Sequence, residues 1–422
     1  MNNPCSPCRL VLAMSTLANS YFITNPATAQ TNAPTGDPVQ QLLQRVDRQE
    51  AEIQALKLQL AHEAKTADDG GSAMPPPPKY PTIQFHGFGD IDYAADNRRG
   101  TSLLGVTETG GKNTFFLGEF DLFISAQLAE EFSVLSESVL SANLDNEMGV
   151  DIERLMLQYE PSPYFNVDLG RFHTALGYYN TAYHHGTWFQ NAVGRPSFLD
   201  FEDSGGLLPV HMVGASIHGA IPSGSWNLNY FLEGGNGLDY TTNPNKNVVQ
   251  QVVDNTDSKA VNIAFTAKPD WMPGWQFGAG MYYDHITPQA PIVLPDFDQF
   301  IFNGHLVYHN ANWEFLTEGY LLDDQPVGGE AHYSPMVYGQ ISRKFHRFTP
   351  YGRFTYYNAS RNDALYSIVW NQGANAGVHY GPSLGLRYDI STYVALKAQY
   401  DYLIDEGLND ASRLTLQAAF TF

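Results

Sequence analysis

The residues with the widest choice of chemistry crowd into one stretch of the chain, His184, His185, Arg195, Ser197, Asp200, Glu202 and Asp203. Adjacent histidines suggest a metal ligand pair, and a serine with a histidine and an aspartate suggests a hydrolase. Neither spacing matches a ligand or triad signature, so no metal, cofactor or catalytic residue is expected. What remains is electrostatic. Asp200, Glu202 and Asp203 form an acidic cluster beside Arg195, His184 and His185. Set against a basic wall, such a cluster imposes a field on a passing ion; set in solvent, it is only a charged loop tip.

A wall is what the rest of the sequence supplies. From Thr82 onward there is no sustained helical period. Sixteen segments alternate apolar and polar instead: 82–95, 114–128, 132–144, 150–160, 164–172, 208–222, 225–235, 258–268, 274–286, 298–309, 312–323, 333–345, 348–358, 376–389, 392–404 and 412–422. A period of two puts successive side chains on opposite faces of a strand. The connections alternate short and long. Ala129 to Glu131, Ser223 to Gly224, Asn310 to Ala311 and Ile390 to Ser391 are tight, whereas Asp96 to Asn113, His173 to Leu207 and Asn236 to Asp257 are long. Sorting of loops by length is the layout of a transmembrane barrel, and a soluble all-β sandwich has no reason to show it. No apolar run reaches 18 residues, so no transmembrane helix is available.

Parity assigns the faces. In the first strand Ile83, Phe85, Gly87, Gly89, Ile91 and Tyr93 point outward, and Gln84, His86, Phe88, Asp90 and Asp92 inward. Inward charges follow as Glu119, Asp121 and Glu137, then Arg154, Arg353, Arg387, Lys397 and Arg413. The segment 333–345 does not alternate cleanly, leaving Arg343 or Lys344 as its inward cation. Acid therefore dominates the first three strands and base the last four. Either these groups orient a polar solute, or they neutralise one another where the last strand meets the first. Asp323, Asp324, Glu330, Asp405, Glu406 and Asp410 fall in outer connections, to share cations with lipopolysaccharide or simply to be exposed.

The last segment, Arg413 to Phe422, puts Leu414, Leu416, Ala418, Phe420 and Phe422 on one face. It resembles the closing strand of Gram-negative outer-membrane barrels, in which an aromatic last residue is an assembly signal, a role the resemblance gives to Phe422. The longest connection, from His173 to Leu207, is the third outer one, and the chain resembles porins in spending residues there. The run Gly170-Arg171-Phe172-His173-Thr174-Ala175-Leu176-Gly177 is similar to the glycine-flanked Phe-x-Thr-Pro-Phe-Gly segment of the phosphate-selective porins O and P, with Ala175 in place of proline. The resemblance implies a third loop folded into the barrel, a homo-oligomer (a trimer) and passive diffusion of small hydrophilic solutes, not catalysis. It also raises anion or phosphate selectivity as the alternative, although only some of the expected ladder of basic residues is present; an outer-membrane barrel enzyme such as a lipid hydrolase is the further alternative, for which the strand faces offer no Ser and His pair.

The remaining segments fit that setting. Residues 1–29 read as a signal peptide, with Arg9, an apolar stretch from Leu10 to Ala18, and Ala27-Thr28-Ala29 as a small-x-small cleavage site. Across 30–62, Val39, Leu42, Val46, Gln49, Ile53, Leu56 and Leu60 step by three and four, as coiled-coil core positions do, with Arg45 facing Glu50 and Glu52 facing Lys57. A lone amphipathic helix gives the same pattern. Residues 63–81 are a Gly/Pro-rich linker carrying Pro75 to Pro78, and 82–422 are the barrel. The coil would stand in the periplasm, within reach of the cell wall. The net charge of -21 argues against nucleic acid as a partner, and both cysteines, Cys5 and Cys8, lie in the leader, leaving no thiol chemistry.

Overall fold

The computed structural model describes residues 80–97, 113–142, 148–183, 185–201, 206–238, 252–253, 256–288, 293–365, 376–406 and 410–422. The signal peptide, the coiled-coil positions Val39 to Leu60, most of the linker, His184, Glu202 and Asp203 lie outside the described residues.

Sixteen strands form one closed antiparallel barrel in which each strand pairs with its neighbours in sequence and β1 pairs with β16. They are β1 (Thr82–Asp96), β2 (Thr114–Gln127), β3 (Phe132–Ala142), β4 (Met148–Ser162), β5 (Phe165–His173), β6 (His211–Ile221), β7 (Leu228–Asn236) and β8 (Lys259–Ala267). The second half comprises β9 (Trp275–Ile286), β10 (Phe297–His309), β11 (Trp313–Pro326), β12 (His332–Arg343), β13 (Phe348–Ala359), β14 (Gly377–Asp389), β15 (Val394–Asp405) and β16 (Ala411–Thr421). Every expected strand is present, with ends displaced by at most three residues. No helix among the described residues is long and apolar enough to cross a membrane; the strands do so.

The alternation has the physical consequence expected of it. Leu232, Val261, Phe265, Leu384, Leu386, Leu414 and Leu416 are exposed on the outer face, whereas Glu233, Asn262, Ser383, Arg387, Arg413 and Thr415 are buried inside. Aromatic side chains gather where the barrel meets the interfaces. At the short-turn end Trp226 and Trp271 meet edge to face at 5.5 Å, and Trp275 lies 4.9 Å from Tyr308. At the opposite end Tyr93 sits 4.9 Å from Phe115. An apolar band between aromatic girdles places the barrel in the outer membrane of a Gram-negative bacterium. Leu232→Arg, which puts a guanidinium in the middle of that band, is expected to cost about 2–4 kcal/mol. Reversible denaturant unfolding in lipid vesicles would measure it, and an unchanged midpoint would mean that this face does not meet hydrocarbon.

Two of the register shifts among the described residues re-aim side chains inward. Gly118 and Glu119 of β2 together oppose Asp90, since the pairing passes from Gly89–Phe120 to Ile91–Leu117. Both face inward, for a Cβ on Gly118 would sit 2.0 Å from the Asp90 carboxylate, while the Glu119 N–H donates to that carboxylate at 3.2 Å. In β4 the pairing passes from Glu137–Arg154 to Ser138–Ile152, so Glu153 and Arg154 both turn inside. A bulge of this kind re-aims a side chain that strict alternation would send outward.

The segment 333–345 also departs from expectation. As β12 it alternates cleanly, with Ser334, Met336, Tyr338, Gln340 and Ser342 inward, and two of these are apolar enough to have hidden the pattern. Neither basic residue faces the interior. Arg343 lies over the rings of Trp313 and Phe345 at 4.8 and 4.5 Å, and Lys344 pairs with Asp389 at 3.2 Å. Asp323 and Asp324 belong to β11, where the buried Asp324 accepts from Gln299 at 2.7 Å, and Asp405 belongs to β15, bonded to His379.

Candidate functional site

Residues 174–210 connect β5 to β6, and their described part includes a short helix, α1 (Tyr179–Ala182), and a 3-10 turn at Ser197–Leu199. This connection is packed within the wall. Leu176, Tyr179, Phe198, Leu199, Leu207, Leu208 and Val210 are buried and form one apolar cluster with inward residues of the strands, among them Leu316, Tyr320, Met336 and Tyr338.

Its polar attachments sort by sign. Carboxylates of β7 and β11 take the loop's donors. Ala175 N–H donates to Glu233 at 2.9 Å, Tyr178 and Tyr179 N–H to Glu318 at 2.7 and 2.8 Å, and Tyr183 O–H and the Asn191 amide to Glu314, each at 3.0 Å. Cations of β13, β14 and β15 take the loop's acceptors. Arg353 donates to the carbonyls of Gly194 and Val193 at 2.9 and 3.3 Å, Arg387 to those of Trp188 and Gln190 at 2.5 and 3.0 Å, and Lys397 to those of Thr187 and Ala192. The amide of Gln399 adds a donor to Val193 O at 2.9 Å, and its oxygen accepts Val193 N–H at 2.9 Å. A buried backbone group without a partner costs about 1–3 kcal/mol, so a loop enclosed in this way requires such a wall.

Ala175 explains the departure from the proline of the similar porin segment. Its N–H is the donor to Glu233, and proline has none to give. Gly177 has a φ of +79°, and a Cβ there would lie 1.9 Å from the Tyr320 hydroxyl. The glycine thus lets the loop approach β11.

The expected constriction residues are placed as follows. Arg195 is 3% exposed and braces the loop from within, donating to Leu199 O at 2.5 Å, with its guanidinium 4.1 Å from the Phe201 ring. Asp200 is buried and accepts the N–H of Phe201 at 3.1 Å. His185 is buried between Glu119, at 3.0 Å from Nδ1, and Glu153, at 3.2 Å from Nε2. Burial opposes charge on His185, but the facing carboxylates of Glu153 and Glu119 outweigh it and hold the imidazole well above its ordinary pKa. Burial and the nearby Glu314 push the Tyr178 hydroxyl up to about 12, so it stays protonated. The hydroxyl of Ser197 makes no hydrogen bond among the described residues.

The expected wall charges Glu119, Asp121, Glu137, Arg154, Arg353, Arg387, Lys397 and Arg413 all face inward, and most are engaged. Arg154 bonds Glu137 at 2.5 Å, and Asp90 accepts from Gln417 of β16 at 3.1 Å. The wall is therefore largely neutralised or spent on the loop. Glu153, Glu233, Glu314 and Glu318 were not singled out from the sequence. Glu153 is concealed by its bulge, whereas the other three sit at ordinary inward positions and could have been found by parity alone.

Toward the short-turn end a cavity of about 530 Å³ remains, lined by Tyr178, Thr181, His218, Asn229, Lys268 and His305 among others.

No protein-family model and no curated protein sequence matches the chain. Solved structures do match in fold. An anion-selective porin from Comamonas acidovorans is 11% identical with a TM-score of 0.55, over 81% of this chain and 100% of that one. The outer membrane channel DcaP of Acinetobacter baumannii is 11% identical with a TM-score of 0.55, over 81% and 97%. OmpF of Salmonella typhi, solved with daunomycin, is 9% identical with a TM-score of 0.53, over 81% and 97%. At such identities the likeness is one of fold, the sixteen-strand barrel.

Proposed function

We propose that the chain is an outer-membrane porin, passing small hydrophilic solutes and ions down their gradients through a barrel narrowed by its third outer loop. The observation that carries this reading is the anchoring of residues 174–194 across the interior, with carboxylates of β7 and β11 on one side and Arg353, Arg387 and Lys397 on the other. A loop bound to the wall by backbone hydrogen bonds at both margins is a fixed restriction, and diffusion past it requires no covalent step. The function works as a homotrimer, with the coiled-coil segment 30–62 as a periplasmic stalk. The reading leaves the chain without enzymatic activity.

Planar-bilayer recording tests it. Insertion of the purified protein is expected to give stepwise openings in groups of three, and a silent bilayer would reject the reading. Replacing Asp200, Glu202 and Asp203 together by Asn, Gln and Asn is expected to move the reversal potential in a salt gradient toward anions. No movement would mean that the acidic end of the loop does not set the field.

A second reading, an anion-selective channel, is favoured by the gathering of Arg353, Arg387, Lys397 and Arg413 on four successive strands, β13 to β16. The same salt-gradient measurement on the unaltered protein decides it by sign.

A further inference from the structure

His185 lies between two clusters of ligating atoms. Those of Glu153, His185 and His211 lie within 4.8 Å of one another, and so do those of Glu119, Asp121 and His185. Glu153, His211, His185 and Asp121 are all buried. The groups come from three strands and the loop, as β2 supplies Glu119 and Asp121, β4 Glu153 and β6 His211.

The hydrogen-bond geometry gives the cluster a direction. His185 Nδ1 is 3.0 Å from Glu119 Oε2 and its Nε2 is 3.2 Å from the Glu153 carboxylate, so a cation bound at Nε2 would displace the proton shared with Glu153 while Nδ1–H keeps its bond to Glu119. His211 Nε2 approaches the other oxygen of the same carboxylate at 2.5 Å. Two imidazole nitrogens thus converge on one carboxylate, and one imidazole is oriented by a second carboxylate behind it. Phe201 stacks on His185 with ring centroids 4.1 Å apart and lies 6.1 Å from His211, fixing both rings.

Asp121 supplies an independent indication. It is 0% exposed, and neither carboxylate oxygen has a hydrogen-bond donor among the described residues. A buried carboxylate is costly unless it is paired or faces a cation. Its basic neighbour is His185, within 4.8 Å, and the arginines of β4 and β5 are directed elsewhere. Arg154 is bonded to Glu137, and Arg171 donates to the backbone carbonyl of Glu153 while remaining 3.9 Å from its carboxylate.

We propose that this junction of loop and wall binds a divalent first-row transition cation. His185 Nε2, His211 Nε2 and the Glu153 carboxylate are its ligands, Glu119 orients His185, and Asp121 balances the charge. Two imidazoles and a carboxylate form a donor set suited to zinc and its neighbours rather than to calcium or magnesium, which prefer oxygen alone. Bound there, the cation ties the loop to β4 and β6, on the side of the barrel that the Arg353, Arg387 and Lys397 contacts do not reach.

The test uses full-length protein in detergent, stripped with chelator and dialysed against zinc alone. About one zinc per chain is expected, retained in the presence of an order of 100-fold excess of calcium. His211→Ala and Glu153→Gln should each weaken binding by about 100-fold or more, and Glu119→Gln, acting through His185, by about 10–100-fold. Failure to retain zinc, displacement by calcium, or full affinity in a His185→Ala/His211→Ala chain would overturn the proposal. X-ray absorption on the unaltered protein supplies a reading independent of whether the variants fold. Two nitrogen neighbours with imidazole scattering are expected, and an all-oxygen shell rejects the site. Conductance of the stripped protein is read separately, so loss of this proposal leaves the porin reading intact.

Discussion

Glu318→Ala is expected to release the third loop from β11 and raise single-channel conductance on the order of twofold or more, the largest rise from any single substitution. Glu318 is 1% exposed and accepts four hydrogen bonds, from Tyr178 N–H at 2.7 Å, Tyr179 N–H at 2.8 Å, Tyr320 O–H at 2.8 Å and Tyr338 O–H at 2.6 Å. Hydrogen bonds to a charged group contribute about 1.5–3 kcal/mol each, and truncation also leaves the donors buried and unsatisfied. The four share one acceptor and are not additive, so a loss of loop docking on the order of 4 kcal/mol is expected. Glu318→Gln sharpens the result. Glutamine keeps the shape and one acceptor oxygen but turns an NH2 toward the remaining donors, so its conductance should fall between the two. Channels of unaltered size in both variants would show that the apolar cluster around Tyr179 and Phe198 holds the loop without Glu318.

The second large effect is expected from the opposite margin. Replacing Arg353, Arg387 and Lys397 together by methionine retains much of the apolar bulk and removes three positive charges along with the donors to Val193, Gly194, Trp188, Gln190, Thr187 and Ala192 carbonyls. The acidic groups of β1 remain, with Asp90 6% and Asp92 3% exposed. The reversal potential in a salt gradient should therefore swing toward cations, and openings should become noisy as the loop loses its second margin. A swing without noise would mean that the three cations set the field but do not hold the loop. Noise without a swing would reverse that assignment.

How much of this was legible in the sequence depends on which physical signal each feature leaves. The strands were legible because a lipid face and a polar interior force a period of two, and the turns because short and long connections alternate. Parity then placed Asp121, Glu137, Arg353, Arg387, Lys397 and Arg413 inside without further information. It failed at Glu153, since one extra residue in β4 reverses the faces beyond it and leaves no mark in composition. It was ambiguous in β12, where Met336 and Tyr338 point inward because the docked loop gives them an apolar surface to cover. The loop itself was the least legible element. Its charged residues invited a solute-facing reading, whereas Arg195 and Asp200 are buried within the loop and its attachments run largely through backbone groups that the sequence does not distinguish. Glu318 and Glu314 become visible as anchors only once the partners more than a hundred residues away are known.

The seam between β1 and β16 bears on how the molecule is made. Gly87 exchanges both backbone hydrogen bonds with Phe422, at 3.2 and 2.9 Å, and Phe422 stacks on Phe120 at 5.9 Å. A Cβ on Gly87 would lie 2.4 Å from the Phe422 ring. The free edge of β1 therefore stays unsatisfied until β16 is in place. Closure of the cylinder is thus a single late event of assembly that needs both ends of the barrel sequence at once.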